Sequence, residues 1–467
     1  MKKYDLIVIG GGPAGYAGAL KAAQYGKKIA LFEKEKIGGV CLNVGCIPTK
    51  ALSSKAGLLE NIRTQTQKEV LRDAGLFSYK KIQKQKNEVV NRLTRGVDSL
   101  LKAAGVDVFL KEAEIISPNE IKAGSEVYST EYILIATGSS NLLNLSFDNK
   151  NLSYDSTGLL NIDRVPSRMV IIGAGVIGLE MASIFNSFGT KITIVELLPE
   201  ILPDFDSDVT KAYQRQLEKR GIEFQLGSLV KSIDSIQENK KRIIFTDKDG
   251  QEQNIITDIV LCSIGRKPNV DKANAEKLNL KIDEKGFIVV NNMMQTNLPN
   301  IFAAGDITGA PLLAHVAIKE AEVAVKNMFS DKKNHRSTNL VPSCIYSYPA
   351  LAKIGLTAKQ AKEKNLEILE GVYNYIGNGM ALALEETTGF AKIIVSKKDK
   401  KIVGGQILGE QSVELIMQLA VVIANEMTVD QWDEKIMVAH PTLSEILHEA
   451  IMDSDNKSIH TPLSKKS

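Results

Sequence analysis

The sequence is poor in cysteine: four in 467 residues, Cys41, Cys46, Cys262 and Cys344. So few thiols cannot build a disulfide-stapled secreted fold. There are one tryptophan and five histidines, and the histidines show no metal-ligand spacing, so no metal site is expected. Long hydrophobic runs are missing. Nothing approaches the roughly 20 apolar residues that span a bilayer. The apolar run after Met1-Lys2-Lys3-Tyr4-Asp5 stops at Ile9, too short for a signal-peptide core. An excess of one charge is missing too, since 58 Lys and Arg face 55 Asp and Glu for a net +3. That balance excludes a dedicated nucleic-acid binder and a polybasic membrane binder. The expected location is the cytoplasm of a bacterium.

What is present is a globular composition, 44% hydrophobic and 24% charged, with length for about three domains. One plan is written twice. The apolar run Leu6-Ile7-Val8-Ile9 leads into Gly10-x-Gly12-x-x-Gly15, a small-residue helical stretch, a second apolar run and Glu33. Met169-Val170-Ile171-Ile172 leads into Gly173-x-Gly175-x-x-Gly178, another helical stretch, a second apolar run and Glu196. Strand, glycine turn, helix, strand and acid form the signature of a dinucleotide-binding unit. The glycines let backbone approach a pyrophosphate, the helix N-terminus supplies amide donors, and the acid accepts from a ribose diol. Glu196 repels a 2′-phosphate, and no Arg follows it in Leu197-Leu198-Pro199-Glu200, so NADH is favoured over NADPH.

Between these units Leu58 to Leu101 reads as a helical excursion, with Lys80, Lys81, Lys84 and Lys86 on a solvated face. Beyond about Val341 the pattern becomes that of a separate α+β domain, and the polar residues from Asp455 onward are expected to fray. Cys41-x-x-x-x-Cys46 lies among Gly38, Gly39 and Gly45. Buried structural thiols are the ordinary fate of such residues. The alternative is a redox pair beside a flavin, with Asn43 capping a helix that begins between the cysteines and lowers a thiol pKa. Cys262 and Cys344 read as core thiols. In His440-Pro441-Thr442-x-x-Glu445 the last two named residues fit a capping box. Equally, Glu445 could orient His440 as an acid–base group.

The run Gly38-Gly39-Val40-Cys41-Leu42-Asn43-Val44-Gly45-Cys46-Ile47-Pro48-Thr49-Lys50 resembles the redox motif of the pyridine nucleotide–disulfide oxidoreductases. Leu42 and Ile47-Pro48-Thr49-Lys50 are similar to the dihydrolipoamide-oxidising branch, the flavoprotein of 2-oxoacid dehydrogenase complexes and of glycine cleavage. The resemblance covers about residues 3 to 452. It includes Ala136-Thr137-Gly138, Asp155-Ser156-Thr157-Gly158, Gly265-Arg266-Lys267-Pro268-Asn269, Thr296 with Ile301 to Asp306, Leu313-Ala314-His315, and His440 to Glu445.

The resemblance implies an α/β fold: an FAD-binding domain over 1–150, an NAD-binding domain over 151–272, a central segment over 273–341 completing the FAD site, and a dimerisation domain over 342–467. FAD is implied to meet Gly10, Gly12, Pro13, Ala14, Gly15, Glu33, Lys34, Gly39, Val40, Cys41, Lys50, Thr137, Gly138, Gly305, Asp306, Leu313, Ala314 and His315. NAD is implied to meet Gly173, Gly175, Val176, Ile177, Gly178, Glu180, Glu196, Gly265 and Arg266. Cys46 would face the flavin, Cys41 would exchange with substrate, and Lys50 would pair with Glu180 near the flavin edge. His440, joined to Pro441 by a bond that is cis in relatives, would act with Glu445 on the partner subunit's site. The implied reaction is dihydrolipoamide + NAD⁺ → lipoamide + NADH by a homodimer serving lipoyl-bearing acyltransferase or carrier proteins. The sequence departs from that branch at Val438, where relatives carry His, and at Ala350, where they carry Glu. A glutathione-reductase-like chain would use NADPH, against Glu196. A mercuric-reductase-like chain would carry a C-terminal cysteine pair. A non-catalytic FAD protein would have no use for Cys41, Cys46 and His440 together.

Overall fold

The computed structural model describes residues 2–71, 77–142, 145–237, 239–271, 274–309, 311–336 and 340–461. The first sheet is parallel at its centre, in the order Asp107–Leu110, Ile29–Glu33, Lys2–Ile9, Glu126–Ile135. Its inner strands are nearly continuous apolar runs because both faces are covered. Leu6, Ile7, Val8, Ile29, Ala30 and Leu31 are fully buried. Besides Lys2–Ile9 on one edge, the ten-residue strand Glu126–Ile135 serves two partners on the other. Its first half pairs antiparallel with Glu120–Ala123, and its last residues pair parallel with Ile301–Ala303. A strand from far along the chain therefore closes the first sheet.

Helix Pro13–Ala23 opens with proline at its first position, where the missing N–H costs nothing. Its small residues let helix Ala314–Phe329 lie close. A Cβ on Gly18 would come within 2.6 Å of Leu134 and 3.5 Å of Ala321.

The second sheet repeats the plan in the order Glu223–Leu226, Lys191–Glu196, Arg168–Ile172, Ile259–Cys262, all parallel, with helix Val176–Ser187 after its glycine turn. A three-stranded antiparallel sheet, Leu229–Gln237, Lys240–Thr246 and Glu252–Thr257, flanks it. The third unit is a five-stranded antiparallel sheet from Ser343–Ile345 to Phe390–Ser396 and Ile402–Leu408, with helices Ser412–Ala424 and Ser444–Asp453 on it. The last helix sits hard on the sheet: a Cβ on Gly371 would lie 2.0 Å from the Ala450 carbonyl.

Several sequence expectations change. The excursion is two helices, Cys46–Gln67 and Tyr79–Ala103, packed on each other. Lys86 is not on a solvated face. It is buried, and its Nζ donates to the Leu160 carbonyl at 2.6 Å. Burial lowers its pKa, and the carbonyls at the end of the Ser156–Leu159 turn compensate for the lost water. The tail does not fray as far as Ile459. Lys457 pairs with Asp430, and the buried Glu449 accepts from Ser458 Oγ at 2.5 Å and bonds His460 Nδ1 at 2.7 Å. The polar tail is held by polar partners, which apolar patterning does not reveal.

Candidate active site

The glycine turns are built alike. Gly10 and Gly173 both have φ of +103°, a left-handed backbone that favours glycine. A Cβ on Gly15 would lie 1.7 Å from the Gly10 carbonyl, and one on Gly178 would lie 2.1 Å from that of Gly173. The middle glycines instead face space: a Cβ on Gly175 would meet nothing within 4 Å, and one on Gly12 only Gly39 Cα at 3.9 Å. That is a cradle shaped for a pyrophosphate at a helix N-terminus.

The two acids match as well. Glu33 Oε2 accepts from Gly11 N at 2.7 Å and Oε1 from Glu35 N at 2.7 Å. Glu196 Oε2 accepts from Ala174 N at 2.6 Å and Oε1 from Leu198 N at 2.8 Å. Each oxygen keeps a lone pair free for a ribose hydroxyl. The residues therefore fit a dinucleotide in both units. Lys34 follows the first acid's strand and pairs with Glu35 at 3.1 Å. Val40 and Val176 are exposed, while Ile177 packs on the core.

The second nucleotide-side turn is held from below. Gly305, φ +83°, lies against the first: a Cβ there would sit 3.2 Å from those of Ala14 and Ala317. Sequence reading missed Glu320, a buried carboxylate that accepts from Gly305 N at 2.8 Å and lies 2.7 Å from Arg336. Burial raises its pKa, and Arg336 opposes that rise. Asp306 accepts from Ser139 Oγ at 2.5 Å. Ser139 in turn accepts from Arg266 Nε at 2.7 Å.

Arg266 is thus placed beside the first unit's turn rather than in the second cradle. Strand Arg266–Pro268 pairs with Ser139–Asn141, and Asn269 Nδ2 bonds the Thr137 carbonyl at 2.9 Å next to Gly138. Gly265 opens that strand. Leu313 precedes helix Ala314–Phe329, and His315 Nε2 lies 3.1 Å from the Pro342 carbonyl. Burial lowers the His315 pKa.

The cysteines lie on successive helices. Cys41 is within Gly39–Val44, and Cys46 is the first residue of Cys46–Gln67. Asn43 does not cap the second helix. Its amide donates back to the Ile37 and Gly39 carbonyls at 3.0 and 2.9 Å, and Gly45 occupies the cap. Both cysteines are free thiols, and they hydrogen-bond each other: the Cys41 S–H supports a thiolate at Cys46. That bond, with Lys50 nearby, lowers the Cys46 thiol to about 7, although burial works against it. The same bond and burial raise Cys41. Cys262 and Cys344 are partly buried, and burial pushes each to about 11.

One turn along the helix from Cys46, Lys50 Nζ meets both Glu180 oxygens at 2.9 and 3.0 Å. Glu180 belongs to helix Val176–Ser187, so this pair ties the redox helix to the second unit. Tyr346 N donates to Glu180 at 3.0 Å, and Lys50 Nζ lies 4.2 Å from the centre of its ring. Tyr346 carried no sequence signal of such a role.

His440 is exposed, its Nδ1 2.8 Å from Glu445 Oε1. Glu445 Oε2 accepts from Thr442 N at 2.9 Å. Burial would raise the Glu445 carboxyl, but the His440 and Thr442 bonds hold it below its ordinary value. The capping box is only half formed, because Thr442 Oγ1 bonds the Ala439 carbonyl at 2.8 Å instead. The His440–Pro441 bond is cis. Among the described residues no hydrogen bond or ion pair joins His440 to the cysteines of its own chain.

The pyridine nucleotide-disulphide oxidoreductase family matches residues 4–321, and its dimerisation domain matches 341–451. The chain belongs to this family. It is a flavoprotein disulfide oxidoreductase of a family that uses FAD and NAD(H). It is 36% identical over 466 residues to the dihydrolipoyl dehydrogenase of Geobacillus stearothermophilus, covering 98% of this chain and 97% of that protein. It is 35% identical to that of Bacillus subtilis (strain 168), again with 98% and 97% covered. The solved structure of the HOCl-induced flavoprotein disulfide reductase RclA from Escherichia coli superposes with a TM-score of 0.85 at 28% identity, covering 96% of this chain and 99% of that one. Among the described residues no helix is long and apolar enough to cross a membrane.

Of the two departures only Val438 has a structural explanation; nothing in the structure explains the side chain at Ala350. Val438 packs against the third unit's core, which contains Trp432 and Leu443. Ala350 contributes its carbonyl, which accepts from Gly409 N at 2.9 Å.

Proposed function

We propose that this chain oxidises dihydrolipoamide to lipoamide with NAD⁺ as a homodimer. The observation that carries the proposal is the Cys41–Cys46 pair, with Cys46 poised as a thiolate beside the Lys50–Glu180 ion pair. Near-full-length similarity to dihydrolipoyl dehydrogenases supports the choice of substrate. The domain division is the one read from the sequence: residues 1–150 and 273–341 hold FAD, 151–272 hold NAD, and 342–467 form the dimer. Gly10, Gly12, Gly15, Glu33 and Asp306 would hold FAD, and Gly173, Gly175, Gly178 and Glu196 would hold NAD.

In the oxidised enzyme the two cysteines form a disulfide. A substrate thiolate attacks the Cys41 sulfur, the Cys41–Cys46 bond breaks, and its electron pair leaves on Cys46. The second substrate sulfur then attacks the first. The lipoamide ring closes, and the electron pair of that mixed disulfide leaves on Cys41, which takes a proton. His440 accepts the proton of the attacking thiol, because the thiolate is the nucleophile, and returns one to Cys41. Glu445 holds the imidazole by its Nδ1 and stabilises its charged form. His440 is assigned to the cysteine pair of the other protomer, which accords with its exposure and its place in the dimerisation domain. Bound FAD supplies the two-electron relay between dithiol and NAD⁺. Lipoyl-bearing acyltransferase or carrier proteins are the proposed partners, docked non-covalently, and the bacterial relatives support a cytoplasmic setting.

The test is NAD⁺ reduction by dihydrolipoamide on the yellow protein, beside NADPH-driven glutathione reduction. Strong activity in the first assay alone is expected. With Cys46→Ser, flavin should stay bound and turnover should vanish. Flavin-loaded protein inactive in the first assay would refute the substrate, and turnover by Cys46→Ser would refute the disulfide route.

A further inference from the structure

Tyr346 touches both members of the ion pair beside the cysteines. Its backbone N–H donates to Glu180 Oε1 at 3.0 Å, and its ring lies under the Lys50 ammonium at 4.2 Å. Its carbonyl accepts from Ser53 Oγ at 3.3 Å, on the same helix as Lys50. Burial pushes the phenol up to about 12, so near neutrality the ring presents a neutral π-face to the cation.

The two charges act on Cys46 in opposite senses: Lys50 favours its thiolate and Glu180 disfavours it. The Lys50 side chain is 31% exposed and that of Glu180 only 6%. Of the two side chains the lysine is the more exposed, and the ring lies against its ammonium. Where the ammonium rests therefore decides which charge the sulfur feels.

We propose that Tyr346 is a positioning residue for the redox pair: its ring fixes the Lys50 ammonium, its N–H fixes the Glu180 carboxylate, and together they keep the ammonium beside the Cys46 sulfur. This rests on the reading of Cys46 as the thiolate that leaves during exchange. Tyr346 itself touches no reacting atom. Its backbone N–H survives any substitution, so side-chain variants isolate the ring.

The experiment uses reduced holoenzyme labelled with ¹³C at cysteine Cβ, with the Cys46 signal assigned by its loss in Cys46→Ser and followed against pH. In Tyr346→Leu the Cys46 midpoint should rise by roughly half to one pH unit, a three- to tenfold loss of thiolate below the midpoint, as expected for losing a partly desolvated cation–π contact. Tyr346→Phe keeps the face and should titrate like the native enzyme, whereas Lys50→Gln should shift at least as far as Tyr346→Leu. Tyr346→Met is a second ring-free variant should the leucine pack poorly. An unshifted Lys50→Gln would remove Lys50 as the thiolate's counterion, and the underlying reading with it. A shifted Lys50→Gln beside an unshifted Tyr346→Leu would overturn this inference alone. Equal shifts in Tyr346→Leu and Tyr346→Phe would assign the effect to the phenol hydroxyl and also overturn it.

Discussion

Cys46 owes its low pKa first to the Cys41 S–H donor, and Cys41→Ala removes that donor while leaving Lys50 and the helix N-terminus in place. The fall from an ordinary 9.0 to about 7 corresponds to roughly 3 kcal/mol in favour of the thiolate. A hydrogen bond to an ionised acceptor contributes about 1.5–3 kcal/mol. Its loss should raise Cys46 by about 1 to 2 pH units. The sign follows because a donor stabilises only the anion, so losing it makes the thiol a weaker acid. At pH 7 the thiolate fraction should fall from about one half to roughly one-tenth to one-hundredth. Cys41→Ser keeps a shorter O–H donor and should recover part of the shift. The assay is the pH dependence of iodoacetamide alkylation in the reduced variants. With Cys41 gone and the other two thiols pushed to about 11, alkylation between pH 6 and 9 reports Cys46. An alanine variant that still titrates near 7 would refute the reasoning and shift the cause to Lys50 and the helix dipole.

Three further outcomes are expected. His440→Gln should keep its melting temperature and flavin while kcat with dihydrolipoamide falls about 10²- to 10⁴-fold; a rate near native would make His440 structural. Glu196→Ser removes the repulsion of a 2′-phosphate, so the NADPH-to-NADH ratio of kcat/KM should rise at least about tenfold, and an unchanged ratio would mean the acid does not read the ribose. Lys392 is buried among Asp206, Asp208 and Glu370 at 3.3, 2.9 and 3.1 Å, so Lys392→Met should cost about 3–5 kcal/mol by denaturant unfolding. Burial lowers the Lys392 pKa, but the carboxylates outweigh it and carry it above 10.5. The contribution is therefore complete at neutral pH and is lost only as pH climbs past that value.

Much of the site was legible because its rules are local. Each glycine motif needs only a strand before it, a helix after it and an acid at the end of the next strand, and both copies fold that way. The cysteine motif also lies within one short segment. What stayed hidden depends on partners distant in the chain. Lys86 looks like any lysine on a polar helix until Leu160 arrives beneath it. Arg266 belongs to the stretch that closes the second unit, yet its guanidinium bonds Ser139, 127 positions away. Glu320 and Tyr346 carry no pattern at all; each matters through what the tertiary fold sets against it. Asn43 had the right chemistry for a cap, but it sits inside the preceding helix, its amide donating to the Ile37 and Gly39 carbonyls and its Oδ1 accepting from Thr94 Oγ1.

The helix that starts at Cys46 carries Lys50, Ser53, Gly57 and Glu60 along one stripe facing the loop of Tyr346 and Tyr348. A Cβ on Gly57 would lie 2.1 Å from the Tyr348 hydroxyl, while Arg220 grips the Tyr348 carbonyl at 2.5 Å and Glu60 at 3.0 Å. The clash falls on a rigid ring whose backbone is held, so relieving it is costly. Position 57 is therefore open to a larger residue only in a background where residue 348 has already become smaller. The order of the two substitutions matters: an intermediate with both bulky side chains would push the loop outward and carry Tyr346 with it, away from the lysine. A glycine with no chemistry of its own thus restricts the paths by which this redox centre can drift.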